Sequence, residues 1–350
     1  MPAPDGDEDM QFKRTEELKK GMRLARPIYN KNGVLLYERD SKLTEQGIAS
    51  IRNFGMIGIY ILEPAEPVPP MTEEDIRFER FQTINVFAIQ DEIERIRATG
   101  KSSKLQVIIA NISKSYGHLD KKIHFIQSLR NKEDYLYRHA LNVAILCALL
   151  GNRIKLKADT RQEVLMAALL HVLKDYEQIE KASFSNPNVK RFCQQADRIM
   201  ESEESGRLDS STRWMKGSQV LAVAQLFDNM TAMSLDRPPE SEVTALKHLL
   251  ELDKVYSPEV VQALMDSIEI LDAGVCVELS NGEKGLVLAE NPLNILRPVV
   301  LCFQDNSILD LSSRAARNVE ITDIMKTMDN RHVMDTDLLK KYSGKKVEVL

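Results

Sequence analysis

Residues Tyr135 to Leu150 read YLYRHALNVAILCALL, and Glu163 to Leu173 read EVLMAALLHVL. They are the most apolar stretches of the central region, and each carries one histidine. Val143, Leu146 and Leu150 follow His139 by four, seven and eleven residues. A helix therefore puts that imidazole on the apolar stripe. Val164, Ala167 and Ala168 precede His171 by seven, four and three residues, so His171 also faces inward. An imidazole turned toward a helical core needs a polar partner. A neighbouring backbone group or carboxylate supplies it on one reading; a vestigial metal site explains it on the other.

Helical pattern extends outward from these two stretches, over about residues 103–270. It resumes at Ser218–Met233 and Ser241–Leu252, and Ser257-Pro258-Glu259 is a helix start, with Ser as cap and Pro at the first helical position. Ala182–Gly217 is polar and poorly periodic. Thr72 and Asp75 resemble a capping box for a helix reaching about Ala98, with Phe78, Phe81, Ala88, Ile89, Ile93 and Ile96 along one stripe. Four prolines between Pro64 and Pro70 make a stiff linker. Ahead of it, Gly21–Tyr29, Val34–Tyr37 and Ile57–Ile61 read as strands, with a turn at Asn30–Gly33. A helix from Thr44 to Phe54 stands between the last two, with Gly55 after it. Near residue 272 the period changes from 3.6 to 2. Val275–Leu279, Lys284–Leu288 and Pro298–Phe303 read as antiparallel strands, the first two joined through Asn281-Gly282.

The expected fold is mainly α: a helical domain over 73–270, a small α/β module over 12–62, a Pro-rich linker at 63–72 and a β appendage at 271–325. Tails occupy 1–11 and 326–350.

The 350 residues carry a formal net charge of −5, against the basic balance of a nucleic-acid binder. The longest apolar run, Val143–Leu150, is far short of the roughly 20 residues of a membrane helix. MPAPDGDEDM has no apolar core of a secretory signal, so the expected location is cytoplasmic. Cys147, Cys193, Cys276 and Cys302 are scattered without a CxxC pair, which predicts buried free thiols.

Several segments resemble the HD-GYP family of cyclic-di-GMP phosphodiesterases. YRHALNVA through LLG (Tyr137–Gly151) is similar to the family's first histidine helix, and AALLHVLK (Ala167–Lys174) to the helix of its His-Asp pair. LAVAQLFDNMT (Leu221–Thr231) with Asp236-Arg237-Pro238 resembles the segment supplying a late metal aspartate. Ser257–Val261, Val277–Val287 and Asn294–Val300 resemble the family's C-terminal helix and β appendage, and Gly21–Tyr60 a small module found ahead of such domains. The resemblance implies an HD-type helical domain. Active members hold two or three metals with His, Asp and sometimes Glu, and the metals activate a water against a phosphodiester.

This chain departs from that pattern. Val172 stands at the aspartate of the His-Asp pair and Gln225 at the late metal aspartate, Lys174 and Asp175 are out of register with the family's Gly-Lys, and no histidine lies between His171 and His248. Only His139 and His171 persist of the implied ligands, as vestigial candidates. Asp175, or Glu203 from the charged stretch near residue 200, could complete a single site; that stretch also reads as a solvated loop. Lys174, Asp228 and Arg237 have nucleotide-binding or structural readings. For Asp228 the plain reading is a helix-surface or supporting carboxylate; for Arg237, a turn residue paired with Asp236. Trp214 either stacks on a base or packs.

The expectation is a catalytically inactive HD-GYP-like protein, a regulatory or interaction scaffold in bacterial cyclic-dinucleotide signalling. The alternatives are a cyclic-di-GMP receptor without hydrolysis and a residual metal-dependent phosphodiesterase. No cofactor is expected, or else Fe, Mn or Zn. A protein partner or self-association is expected, through the N-terminal module and the aromatic-bearing helix at 73–98.

Overall fold

A computed structural model describes residues 11–29, 35–38, 41–62, 73–125, 127, 130, 132–205, 213–234, 237 and 239–324. The turn at 30–33, the linker at 63–72, Thr72 of the capping box, most of the expected N-terminal tail and the tail at 326–350 lie outside these residues. The fold is mainly α, with a small sheet near the N-terminus and an antiparallel sheet at the C-terminus.

The first unit holds β1 (Gln11–Arg14), β2 (Arg23–Leu24), β3 (Ile28–Tyr29), β4 (Leu35–Tyr37), α1 (Glu45–Asn53) and β5 (Gly58–Leu62). β5 is the middle strand of an antiparallel sheet in the order β1-β5-β2, and β3 pairs with β4. Gln11, expected in the tail, is paired with Ile61. The single strand expected over 21–29 is two short ones. Pro27 has no N–H for a ladder and fixes its own φ, so the chain bends there. Thr44 caps α1 by accepting from the Gly47 N–H at 3.0 Å. Gly55, at φ +66°, takes the left-handed turn that ends it. Leu24, Ile28, Leu43, Ile48, Ile51, Ile59 and Ile61 form a core of their own.

The helices that follow are α2 (Glu73–Thr99), α3 (Leu105–Tyr116), α4 (Tyr135–Arg153), α5 (Ala158–Leu170), α6 (Tyr176–Ala182), α7 (Pro187–Ser205), α8 (Lys216–Thr231), α9 (Glu242–Glu251) and α10 (Pro258–Met265). α4 is buried at every position from Ala140 to Gly151, because α2, α3, α5, α8 and α10 surround it. An all-round apolar helix is stable only at the centre of such a cluster. Glu92 of α2 caps α3, its Oε1 accepting from the N–H groups of Ser103, Lys104 and Leu105 at 2.5, 2.9 and 3.2 Å.

Helix does not run continuously from 103 to 270. Between α3 and α4 the backbone is taken up elsewhere: Ile123 N–H donates to Ser267 O at 3.0 Å and Glu269 N–H to Ile123 O at 2.9 Å. The polar stretch after Ala182 contains a 19-residue helix, α7. Its buried positions, Val189, Phe192, Cys193, Ala196 and Ile199, fall at helical spacing. Gly217 lets α8 close on it, since an added Cβ would lie 2.6 Å from the Phe192 ring. The expected Ser257 side-chain cap on α10 is not formed; instead its N–H donates to Gln219 Oε1 at 2.9 Å.

The chain then forms β6 (Cys276–Leu279), β7 (Lys284–Ala289), β8 (Val299–Cys302), β9 (Ile308–Asp310) and β10 (Ile321–Ile324), in the order β10-β6-β7-β8-β9. Val277, Leu279, Val287, Val300 and Cys302 join the helical core, and Cys276, Leu286, Leu288, Leu301 and Phe303 pack separately. Two apolar faces on one sheet follow from the period of two. All four cysteines are buried and free. Among the described residues no helix is long and apolar enough to cross a membrane.

Candidate functional site

α4 and α8 lie side by side, and their contact surface is interrupted by a buried polar cluster. Its centre is Asp228, which is fully buried rather than on a helix surface. His139 donates from Nδ1 to Asp228 Oδ2 at 2.6 Å. Arg130 donates from Nη2 to both carboxylate oxygens, at 2.9 and 2.7 Å. Asn142 and Gln127 donate to Oδ1 at 2.8 and 3.1 Å. Asn142 also donates to Gln127 Oε1 at 2.9 Å and accepts from Gln82 of α2 at 2.8 Å, while Gln127 reaches Thr231 at 2.8 Å.

Burial by itself would raise the Asp228 pKa. The Arg130 charge and the His139 hydrogen bond outweigh it and hold the carboxyl well below its ordinary range. Asp228 is therefore a carboxylate whose oxygens are all occupied.

His171 ends α5 in a single 3-10 turn, His171–Leu173. Its ring lies edge-to-face against His139, with centroids 5.0 Å apart. Nδ1 donates to the Ala168 carbonyl at 2.7 Å. A carbonyl only accepts, so Nδ1 carries the proton and Nε2 the lone pair. Burial, with His139 and Lys174 nearby, pushes the His171 pKa well below its ordinary value and keeps the ring neutral. Among the described residues, neither His171 Nε2 nor Gln225 Nε2 has a hydrogen-bond partner.

Both imidazoles thus have Nδ1 held, as metal-binding histidines commonly do. The rest of the donor set does not fit the two or three metals of the family pattern. Val172 is buried and apolar. Both Asp228 oxygens face a fixed guanidinium, which opposes a second cation. Asp175 caps α6, accepting from Glu177 and Gln178 N–H at 2.9 and 3.1 Å. Glu203 is in α7, not a loop, and accepts from Tyr256 and binds His248 Nε2 at 2.5 Å. Among the described residues, no three His, Cys, Asp or Glu side chains form a metal-holding group.

The other expected positions lie outside the cluster. Lys174, with a left-handed φ of +55°, has a largely exposed side chain 3.7 Å from Asp197. Arg237 is exposed and donates to the Asn229 carbonyl at 2.8 Å; Asp236 is outside the described residues. Trp214 is half-buried against the helical core. Sequence reasoning missed Arg130, Gln127, Gln82 and Asn142. Asn142 had a signal, standing three residues after His139 on the same face. Arg130 had none, being 98 residues from Asp228.

No family model, curated protein or solved structure matches this chain.

Proposed function

We propose that this chain is a catalytically inactive HD-GYP-like signalling protein, a regulatory or interaction scaffold in bacterial cyclic-dinucleotide signalling. The motif resemblance of its histidine helices, its Leu221–Thr231 segment and its β appendage suggests the family. The observation that carries the loss of catalysis is the contact of Arg130 Nη2 with both Asp228 oxygens. A fixed positive charge already neutralises the one carboxylate beside His139, and no further carboxylate joins the two imidazoles among the described residues. Two imidazole nitrogens are fewer than the three protein ligands typical of even one catalytic zinc.

Such a scaffold acts through its surfaces. Of the aromatic residues of α2, Phe78 is buried, and Phe81 and Phe87 are partly buried against the helical core. Phe78 packs edge-on against Tyr116 and Phe125, and Phe81 against Tyr116. The exposed large apolar residues of α2 are Ile76 and Ile84.

Elemental analysis of the purified protein, paired with a cyclic-di-GMP cleavage assay in added Mn²⁺ or Fe²⁺, tests the reading. The expected result is far less than one equivalent of Fe, Mn or Zn per chain and no cleavage. Stoichiometric metal together with cleavage would overturn it.

A further inference from the structure

Gln127 and Arg130 are held from two sides. Their side chains enter the helical domain and grip Asp228. Their carbonyl oxygens face the N-terminal module. The Gln127 carbonyl accepts from the Arg26 guanidinium, which is also stacked over the Tyr60 ring at 4.6 Å. The Arg130 carbonyl accepts from the Ile57 N–H at 3.0 Å. Two residues on, the Lys132 N–H donates to the Gly55 carbonyl at 2.7 Å. Gly55 and Ile57 belong to the turn that leaves α1, and Thr15 fixes that turn by donating to the Met56 carbonyl. The module has a hydrophobic core separate from the helical one. A unit with its own core can shift as a body, while backbone hydrogen bonds of this kind are made or lost together.

We propose that the N-terminal module is a clamp on the Asp228 cluster, and that its docking determines whether Gln127 and Arg130 reach the carboxylate. A partner or ligand that drew the module away would withdraw both side chains and leave Asp228 to His139 and Asn142. The coupling is reciprocal: disturbing Asp228 must loosen the module. It does not depend on whether the domain hydrolyses anything, so metal and cleavage assays leave it untouched.

Hydrogen exchange and histidine NMR on the full chain test it from both ends. With Asp228→Asn, peptides covering 54–62 and the amide of Lys132 are expected to exchange several-fold faster, while β7 keeps its wild-type rate. Unchanged exchange at 54–62 overturns the clamp. If the variant loosens β7 as well, the opposite arm decides. Arg26→Gln, on the module's side, is expected to move or broaden the His139 Nδ1–H resonance. Arg26→Lys keeps the charge but loses the planar fork, and is expected to move it too. A resonance unmoved by Arg26→Gln, or moved by Gln and not by Lys, reduces the contact to packing or a distant field effect and overturns the proposal.

Discussion

The two imidazoles at the α4–α5–α8 junction sit 5.0 Å apart and live by different rules. On the His139 side both Asp228 oxygens have donors, and the charge is kept. On the His171 side, the ring's Nε2 has no partner among the described residues, and the ring is held neutral. Glu79 of α2 follows the second rule. Its Oε2 lacks a partner among the described residues, and burial pushes its pKa up to about 7, against weaker pull from Arg26. A buried group keeps its charge when a counter-charge and hydrogen bonds reach it, and gives the charge up when they do not.

The strongest way to break this contrast is Arg130→Ala. It leaves a buried carboxylate without its cation and is expected to cost about 3 to 5 kcal/mol in urea unfolding. Asp228→Asn in the same chain should recover part of the loss. A cost within error of zero would mean that Asp228 does not depend on Arg130.

Glu79→Gln sharpens the other side. The folded pKa of Glu79 lies above its unfolded value of 4.5, so the folded chain retains a proton that the unfolded chain has released. Its contribution to stability therefore falls as pH rises from about 4.5 to about 7, and is lowest above that. The loss is at most roughly 3.5 kcal/mol, at 1.36 kcal/mol per pKa unit. Glu79→Gln should raise the urea midpoint relative to wild type at pH 8 and give no gain at pH 4.5. Equal effects at both values would contradict a buried proton.

The smallest effect is expected for His171→Leu. It removes an unpartnered lone pair along with the Ala168 hydrogen bond, two opposing changes of about 1 kcal/mol each. The net change should stay within about 1 kcal/mol by the same measure. A loss as large as that of Arg130→Ala would show that the His171 side is held as tightly as the Asp228 side.

Much of the fold was legible along the chain. The apolar stripes of α4 and α5, the Thr44 cap and Gly55 stop of α1, and the period of two in β6 and β7 are local signals, and local sterics and burial impose them. α7 was harder to read because polar residues dilute its stripe from Val189 to Ile199. The stretch between α3 and α4 was misread because its backbone bonds to Ser267 and Glu269, far along the chain. At the site, the inward direction of His139 and His171 followed from spacing, while Val172 and Gln225 stood out as missing carboxylates only through the family resemblance.

The sequence by itself determined most of the elements and the inward direction of the two histidines, because helical and strand periods act over a few residues. Tertiary structure alone decided what became of the remaining charges. It brought Arg130 across 98 residues to Asp228 and sent Glu203 to Tyr256 and His248. Whether a buried group stays ionised depends on what lies within about 4 to 6 Å of it in space, and chain order carries no record of that distance.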